Sequence, residues 1–404
     1  MKIINDPVFG FITIPKGLLY DIVKHPAFYR LSRIKQLGLL DVVYPGAQHT
    51  RFQHSIGAFH LTTLATESLR QKGNFIFDSE AEAVQAAILL HDIGHGPFSH
   101  VLEHTLINGM EHEEISLMVM ERMNEEFRGQ LGLAIKIFRN EYPKQFLHQL
   151  ISSQLDMDRL DYLRRDSFYT GVTEGNIGSS RIIEMLDVKD DNLVVQKKGI
   201  YSIENYLVSR RLMYWQVYLH KTSVAAEQML VNTLNRAKHL ASCGDELCAS
   251  PALRYFLYNN IDRECFRNNP QSLDLYLQLD DCDIWSALKA WTSHKDRILS
   301  LLSKACIERR IFKVETSDEP FSEEYINERK SEIMNALDIS AEEAKYMTAV
   351  TEVGKDMYDI SDDRIEILQK DGTTKDITET SDMLNISTLS RKVRKHYFCR
   401  FRTA

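Results

Sequence analysis

The stretch Ala83–Leu90 is almost wholly apolar and runs directly into His91-Asp92-Ile93-Gly94-His95-Gly96. A helix buried along such a run cannot carry an imidazole and a carboxylate into the core without partners, because unpaired buried polar groups cost several kcal/mol. A divalent cation removes that cost, since neutral imidazole and carboxylate are its natural ligands. Adjacent helical residues project about 100° apart, so both side chains reach one ion only near a helix end. Gly94 and Gly96 supply that end and permit close approach to the backbone.

Further ligands must come from elsewhere in the chain. The six cysteines (Cys243, Cys248, Cys265, Cys282, Cys306 and Cys399) form no CxxC pair and lie late in the sequence. A site in the N-terminal half must therefore use His, Asp or Glu. Nine of the 14 histidines precede residue 113. Thr50-Arg51-Phe52-Gln53-His54-Ser55 places a histidine near a helix start, with an arginine suited to phosphate beside it. Asp156-Met157-Asp158-Arg159-Leu160-Asp161-Tyr162 offers three carboxylates. Helical spacing puts Asp158, Tyr162 and Asp166 on one face, with Arg159 next to it. A lone His in a helix is more often structural, and a lone Asp at a helix start is usually a cap. The combination of a His, a His-Asp pair and a later Asp, with glycines and arginines alongside, favours a metal site.

The helical pattern extends through most of the first 307 residues. Leu18–Val23 and Phe28–Leu37 are apolar-periodic, split by Pro26 and closed by Gly38. Ser55–Leu69 repeats apolar residues at helical spacing. Ser79 with Glu82 reads as a capping box opening the helix that ends at His91. Glu113–Glu126, Leu133–Phe138 and Met157–Phe168 follow, and Ile203–Ala241 reads as one long helix. Asn192–Gln196 and Ile200–Ile203 read as a hairpin around Lys197-Lys198-Gly199. After residue 308, β-like runs at 311–314, 347–353, 365–369 and 396–401 alternate with a charged helix, Ser322–Leu337. The expected fold is mainly α, with a helical catalytic body over 1–307 and a smaller α+β region over 308–404 for oligomer contacts or as a cover over the site. The basic tail (Arg391, Lys392, Arg394, Lys395, Arg400, Arg402) reads as a solvated face or a phosphate contact, the former favoured.

The formal net charge of -8 disfavours a passive nucleic-acid coat. No basic-then-apolar leader and no long apolar run stands in the sequence, so no membrane association and a cytoplasmic location are expected.

Four segments resemble the HD superfamily of metal-dependent phosphohydrolases, and within it the deoxynucleoside triphosphate triphosphohydrolases. These include the bacterial dGTPase-like enzymes and the animal enzyme that joins a sterile-alpha-motif to an HD domain. The segments are IKQLGLLDVVYPGAQHTRFQHSIGAFHL (Ile34–Leu61), LLHDIGHGPFSHVLEH (Leu89–His104), MEHEEIS (Met110–Ser116) and LDMDRLDYLRRDSFYTGV (Leu155–Val172). They occur in family order, and the likeness fades by about residue 221. The resemblance selects His54, His91, Asp92 and Asp158 as ligands of one divalent metal ion (Fe, Mn, Mg, Ni or Zn). It implies His112 as general acid oriented by Glu113, and His95 and His100 facing phosphates. Arg51 and Arg159 would hold phosphate oxygens, with Arg210 and Lys221 as further triphosphate contacts. Tyr162 and Asp166 would face the sugar, Tyr218 would stack or touch it, and Gln36 and Leu37 would pack where a ribose 2′-hydroxyl would clash.

The implied reaction is hydrolysis of a deoxynucleoside triphosphate at the α-phosphorus, giving a deoxynucleoside and inorganic triphosphate. The resemblance also implies a homo-oligomer, dimer or tetramer, with a nucleotide activator. Departures stand at Leu219, where the animal enzyme has Gln near the base, and at Lys24 and Ser32, where its guanine-reading activator site has Asp and Arg. Two other readings compete: an HD phosphohydrolase acting on nucleoside monophosphates or another phosphoester, and a nucleotide-sensing or nucleic-acid-binding regulator.

Overall fold

The computed structural model describes residues 1–98, 101, 105–355, 364–381 and 393–403. The chain is mainly helical with small sheets at its margins. It opens with a hairpin that the sequence pattern does not announce: β1 (Lys2–Asp6) pairs antiparallel with β2 (Gly10–Ile14). The Asp6 carboxylate makes the turn by accepting from the amides of Val8 and Phe9, each at 2.9 Å. Gly10 follows at φ +77, a conformation that costs glycine little.

After α1 (Leu18–Lys24), the expected helix over 28–37 is corrected. Helical turns end at Arg33, and residues 34–36 run extended against 49–51. The buried Arg30 guanidinium fixes this bend by donating to the carbonyls of Leu279, Ile93 and His95. The long helix α2 (Arg51–Gln71) begins with a capping box in which Gln53 accepts from the Thr50 amide at 2.9 Å. The next helix, α3 (Asp78–Leu90), starts earlier than the expected Ser79 cap. Glu80, not Glu82, accepts from the Phe77 amide, and Lys144 and Tyr142 hold its carboxylate in place.

Val84, Ala87, Ile88, Leu89 and Leu90 of α3 are fully buried. Each large side chain among them contributes roughly 1.5–3 kcal/mol on burial, which fixes α3 between its neighbours. α2 packs against α3 and against α5 (Met157–Thr170); α4 (His112–Glu126) lies between them in sequence.

Two further expectations are corrected. The hairpin is formed by β3 (Leu186–Lys189) and β4 (Asn192–Gln196), turning at Asp190 and Asp191, while Ile200 starts a helix. Asp tolerates the positive φ of that turn better than a β-branched residue would. The pattern over 203–241 is not one helix. α6 (Ile200–Met213) widens into a π-helical stretch over Tyr214–Tyr218, the chain breaks at Leu219–His220, and α7 (Lys221–Ser242) restarts with the His220 imidazole accepting from Thr222.

In the later part, β5 (Lys313–Ser317) and β6 (Thr348–Lys355) flank β9 (Val393–Arg400), all antiparallel. The intervening helix α8 (Glu323–Leu337) falls where the sequence predicts a charged helix, and Ser322 caps it by accepting from the Tyr325 amide. Strands β7 (Glu366–Leu368) and β8 (Thr374–Asp376) instead join β4 and β3 in the order β8-β7-β4-β3, with β7 parallel to β4. Asn232 of α7 ties the three-stranded sheet down by donating to the carbonyls of Tyr346 and Thr348. Basic residues of the tail pair within the chain: Arg400 with Glu315 and Arg394 with Glu352. Among the described residues no helix is long and apolar enough to cross a membrane.

The end of α3 is held against α4 at Gly94. A Cβ there would stand 2.1 Å from the His112 carbonyl oxygen and 2.3 Å from the Ser116 amide nitrogen. Gly94→Ala is expected to destabilise the fold by about 1–3 kcal/mol or more through this overpacking, read as a lowered urea midpoint at unchanged slope.

Candidate metal centre and adjoining cavity

The ends of three helices bring His54, His91 and Asp158 together. His54 sits in the first turn of α2, His91 caps the C-terminus of α3 and Asp158 lies in the first turn of α5. His54 Nε2 is 3.0 Å from Asp158 Oδ1 and 3.4 Å from His91 Nε2, which is itself 3.5 Å from Asp158 Oδ1. Ligand atoms around one ion at a bond length near 2.1 Å stand about 3.0–3.4 Å apart, so the spacing fits a single small cation.

Both imidazoles are oriented from behind. His54 Nδ1–H donates to Asp161 at 2.7 Å and His91 Nδ1–H donates to the Ile88 carbonyl at 2.6 Å. The two Nε2 atoms therefore face the centre, with the outer-shell support from behind that metal-ligating histidines ordinarily have. Asp92 lies beside this group, with Oδ1 3.4 Å from His91 Nε2 and Oδ2 3.8 Å from His54 Nε2. Its carboxylate also accepts from Arg51 at 2.7 Å and stands 3.3 Å from His95 Nε2.

Charge explains the electrostatics. Burial works against a charged His54, but Asp158 and Asp161 outweigh it and push the imidazole up to about 10. Burial disfavours charge on Asp158 as well, yet its bonds to His54 and His91 hold it far below the usual carboxylate range. Without a metal, protons supply the positive charge that these carboxylates demand. A divalent cation would displace them, as binding at His and carboxylate ligands ordinarily does. Burial and the nearby Arg51 keep His95 well below its ordinary value, hence neutral.

A cavity of about 480 Å³ opens beside the centre, within the range of small-molecule sites. Its wall includes Gln36, Leu37, Arg51, Arg159, Tyr162, Asp166, Tyr218 and Leu219. Asp166 is held on two sides: His49 donates to one carboxylate oxygen and Tyr218 to the other, each at 2.7 Å. Burial raises the Tyr162 and Tyr218 phenols well above 10, so both remain neutral donors. Gln36 Oε1 and Arg51 Nε are buried without a hydrogen-bond partner.

His112, the first residue of α4, stacks on His95 with ring centroids 3.8 Å apart. Glu113 is exposed, and His100 lies outside the described residues. Arg210 is buried and donates to Gln154 Oε1 at 2.9 Å rather than lining the cavity. Lys221 is exposed at the start of α7 and does not line it either.

Sequence reasoning does not single out Asp161, Arg165 and His49 as functional side chains. The Asp161–Arg165 spacing of four residues is a signal of an ion pair on one helix face, but nothing local announces that the pair orients His54. The contributions of Thr351 and Val353 of β6 to the cavity wall depend on tertiary folding alone.

Comparison with known proteins places the chain among related sequences and folds. The HD domain model matches residues 51–166, and the HD associated region model matches 177–247. The chain is 34% identical over 318 residues to the uncharacterized protein YwfO of Bacillus subtilis, covering 77% of this chain and 71% of that protein. It is 29% identical over 281 residues to the deoxynucleoside triphosphate triphosphohydrolase SAMHD1 of Homo sapiens. The chain spans less than half, 45%, of that protein's length. A crystal structure of a phosphohydrolase from Bacteroides thetaiotaomicron superposes with a TM-score of 0.97 at 68% identity, covering 99% of this chain and 100% of that one. On matched sequence, shared fold and a His-Asp centre built from three helix ends, the chain belongs to the HD-domain family.

Proposed function

We propose that this chain hydrolyses deoxynucleoside triphosphates at the α-phosphorus, with His54, His91, Asp92 and Asp158 holding one divalent cation. The observation that carries the reading is the cavity wall. It joins a metal-type cluster, through Arg51, to a second guanidinium at Arg159 and to a polar rim of Tyr162, Asp166 and Tyr218. The likeness to SAMHD1 supports the same substrate class.

When bound, the cation would neutralise α-phosphate charge and lower the pKa of a water molecule. The protein's own groups do the rest. Arg51 and Arg159 present charge-assisted donors to phosphate oxygens. The water oxygen joins the α-phosphorus as the bond to the 5′-oxygen breaks, and His112 delivers a proton to that leaving oxygen. His95, kept neutral and stacked on His112, fixes its ring plane. Asp166, locked by His49 and Tyr218, is an acceptor for the 3′-hydroxyl. Gln36 and Leu37 close the space where a 2′-hydroxyl would stand. Arg210 and Lys221 would reach the phosphate tail only after rearranging. Strand β6 at the cavity wall supports a cover role for the 308–404 region.

Incubation with each deoxynucleoside and ribonucleoside triphosphate and Mn²⁺ should release inorganic triphosphate and a nucleoside from the deoxy series. Release of monophosphate or orthophosphate would sink the proposal. His112→Ala should lower kcat by about 10²–10⁴ with little change in KM, the size expected for loss of a general acid.

The metal assignment has its own readout. The melting temperature of the metal-free protein should rise with Mn²⁺, by an amount equivalent to about 2.7 kcal/mol at a hundredfold excess over Kd. Asp158→Ala should abolish that rise. A rise that survives in the variant would place the ion elsewhere.

A further inference from the structure

We propose that Asp6, on the N-terminal hairpin, is a positioning residue for the cation site: it holds Arg165, Arg165 holds Asp161, and Asp161 holds the His54 imidazole. This rests on the cation site proposed above.

The chain of contacts is continuous. Arg165 Nη1 donates to Asp6 Oδ2 at 2.7 Å. Its Nε and Nη2 donate as a fork to the two oxygens of Asp161, each at 2.9 Å. Asp161 Oδ2 then accepts from His54 Nδ1 at 2.7 Å. Asp6 is 4% exposed, and Arg165, Asp161 and His54 are each 0% exposed. The Phe9 ring lies 5.6 Å from the Arg165 guanidinium. Gly57 of α2 seals the other side: a Cβ there would fall 1.9 Å from Asp161 Oδ1 and 2.2 Å from Arg165 Nη2. The fork fixes the carboxylate plane of Asp161, and that plane fixes where His54 Nε2 points.

Charge gives the second argument. The groups linked to one another here are the carboxylates of Asp6, Asp161, Asp158 and Asp92 and the guanidiniums of Arg165 and Arg51. With neutral imidazoles, four negative and two positive charges leave two negative charges uncompensated. A buried surplus is unfavourable unless a counter-charge lies beside it, and one divalent cation supplies two. Without Asp6, Arg165 and Asp161 would close on each other as a neutral pair and half of that surplus would vanish.

Asp6 has a separate structural duty, since its Oδ1 accepts from Val8 and Phe9 in the hairpin turn. Asp6→Asn separates the two roles. The amide oxygen can still serve the turn, while the charge facing Arg165 is removed.

The test is Mn²⁺ titration of the metal-free full-length chain, following the free-ion electron paramagnetic resonance signal. Asp6→Asn should bind Mn²⁺ at least about tenfold more weakly than the parent, the effect expected of outer-shell partners. Ile14→Ala, a buried apolar change in the same hairpin, should lower the melting temperature while keeping affinity within about twofold. Affinity of Asp6→Asn within twofold of the parent overturns the proposal. So does an equal loss in Ile14→Ala, which would make the hairpin a general support. Where Asp6→Asn does not fold, Arg165→Lys, which keeps the charge but loses the fork, is read by the same criterion. A parent that binds no Mn²⁺ overturns the cation-site reading itself.

Discussion

Two imidazole nitrogens facing each other at 3.4 Å, with a carboxylate oxygen 3.0 Å from one of them, are an arrangement that only shared positive charge makes favourable. The ends of α2, α3 and α5 converge there, and each is committed to that geometry by contacts behind it. The Asp161–Arg165 pair and the close approach at Gly57 lock α2 to α5. The Ile88 carbonyl and Ser116 lock the His91 corner, the latter by donating to the His91 carbonyl. The site is thus not a decoration on a finished helical core. It is the place where the core's charges are reconciled, and removing one partner would leave others buried and unpaired, typically a loss of 3–5 kcal/mol.

Much of this is legible in the sequence, for a definite reason. His91-Asp92 closes an apolar run that has no other use for them, and the glycines after it mark the helix end. Asp158 is different. Local spacing leaves it level with Asp156 and Asp161, and only the family pattern separates them. In the folded chain the three carboxylates diverge. Asp156 caps α5 by accepting from the Arg159 amide, Asp158 faces His54 and His91, and Asp161 orients His54. These roles are set by the neighbouring helices and not by the segment that contains the residues.

Where sequence pattern and structure part, tertiary contacts override local preference. Residues 34–36 carry a helical pattern but are drawn straight by pairing with 49–51 and by the anchored Arg30. The 203–241 pattern lacks any Gly or Pro to signal a break, yet the aromatic run Tyr214–Tyr218 widens the helix and places Tyr214 and Tyr218 in the cavity wall. The hairpin of residues 2–14 escapes a local reading because its importance lies in one buried carboxylate, Asp6, whose partner stands 159 residues later.

The parallel pairing of β7 with β4, and the seat of β6 on the cavity wall, bear on how such a chain matures during synthesis. Strand β4 is made well before the strand that pairs with it, and the residues of β6 leave the ribosome only after the metal-type cluster is complete. Contacts of such long sequence separation form late, and emerging chains fold from the N-terminus onward. A nascent helical body therefore brings His54, His91 and Asp158 together while the adjoining cavity still lacks a side. The metal-type cluster and the full cavity wall are thus separated in time along one polypeptide, and the second waits for the arrival of Thr351 and Val353.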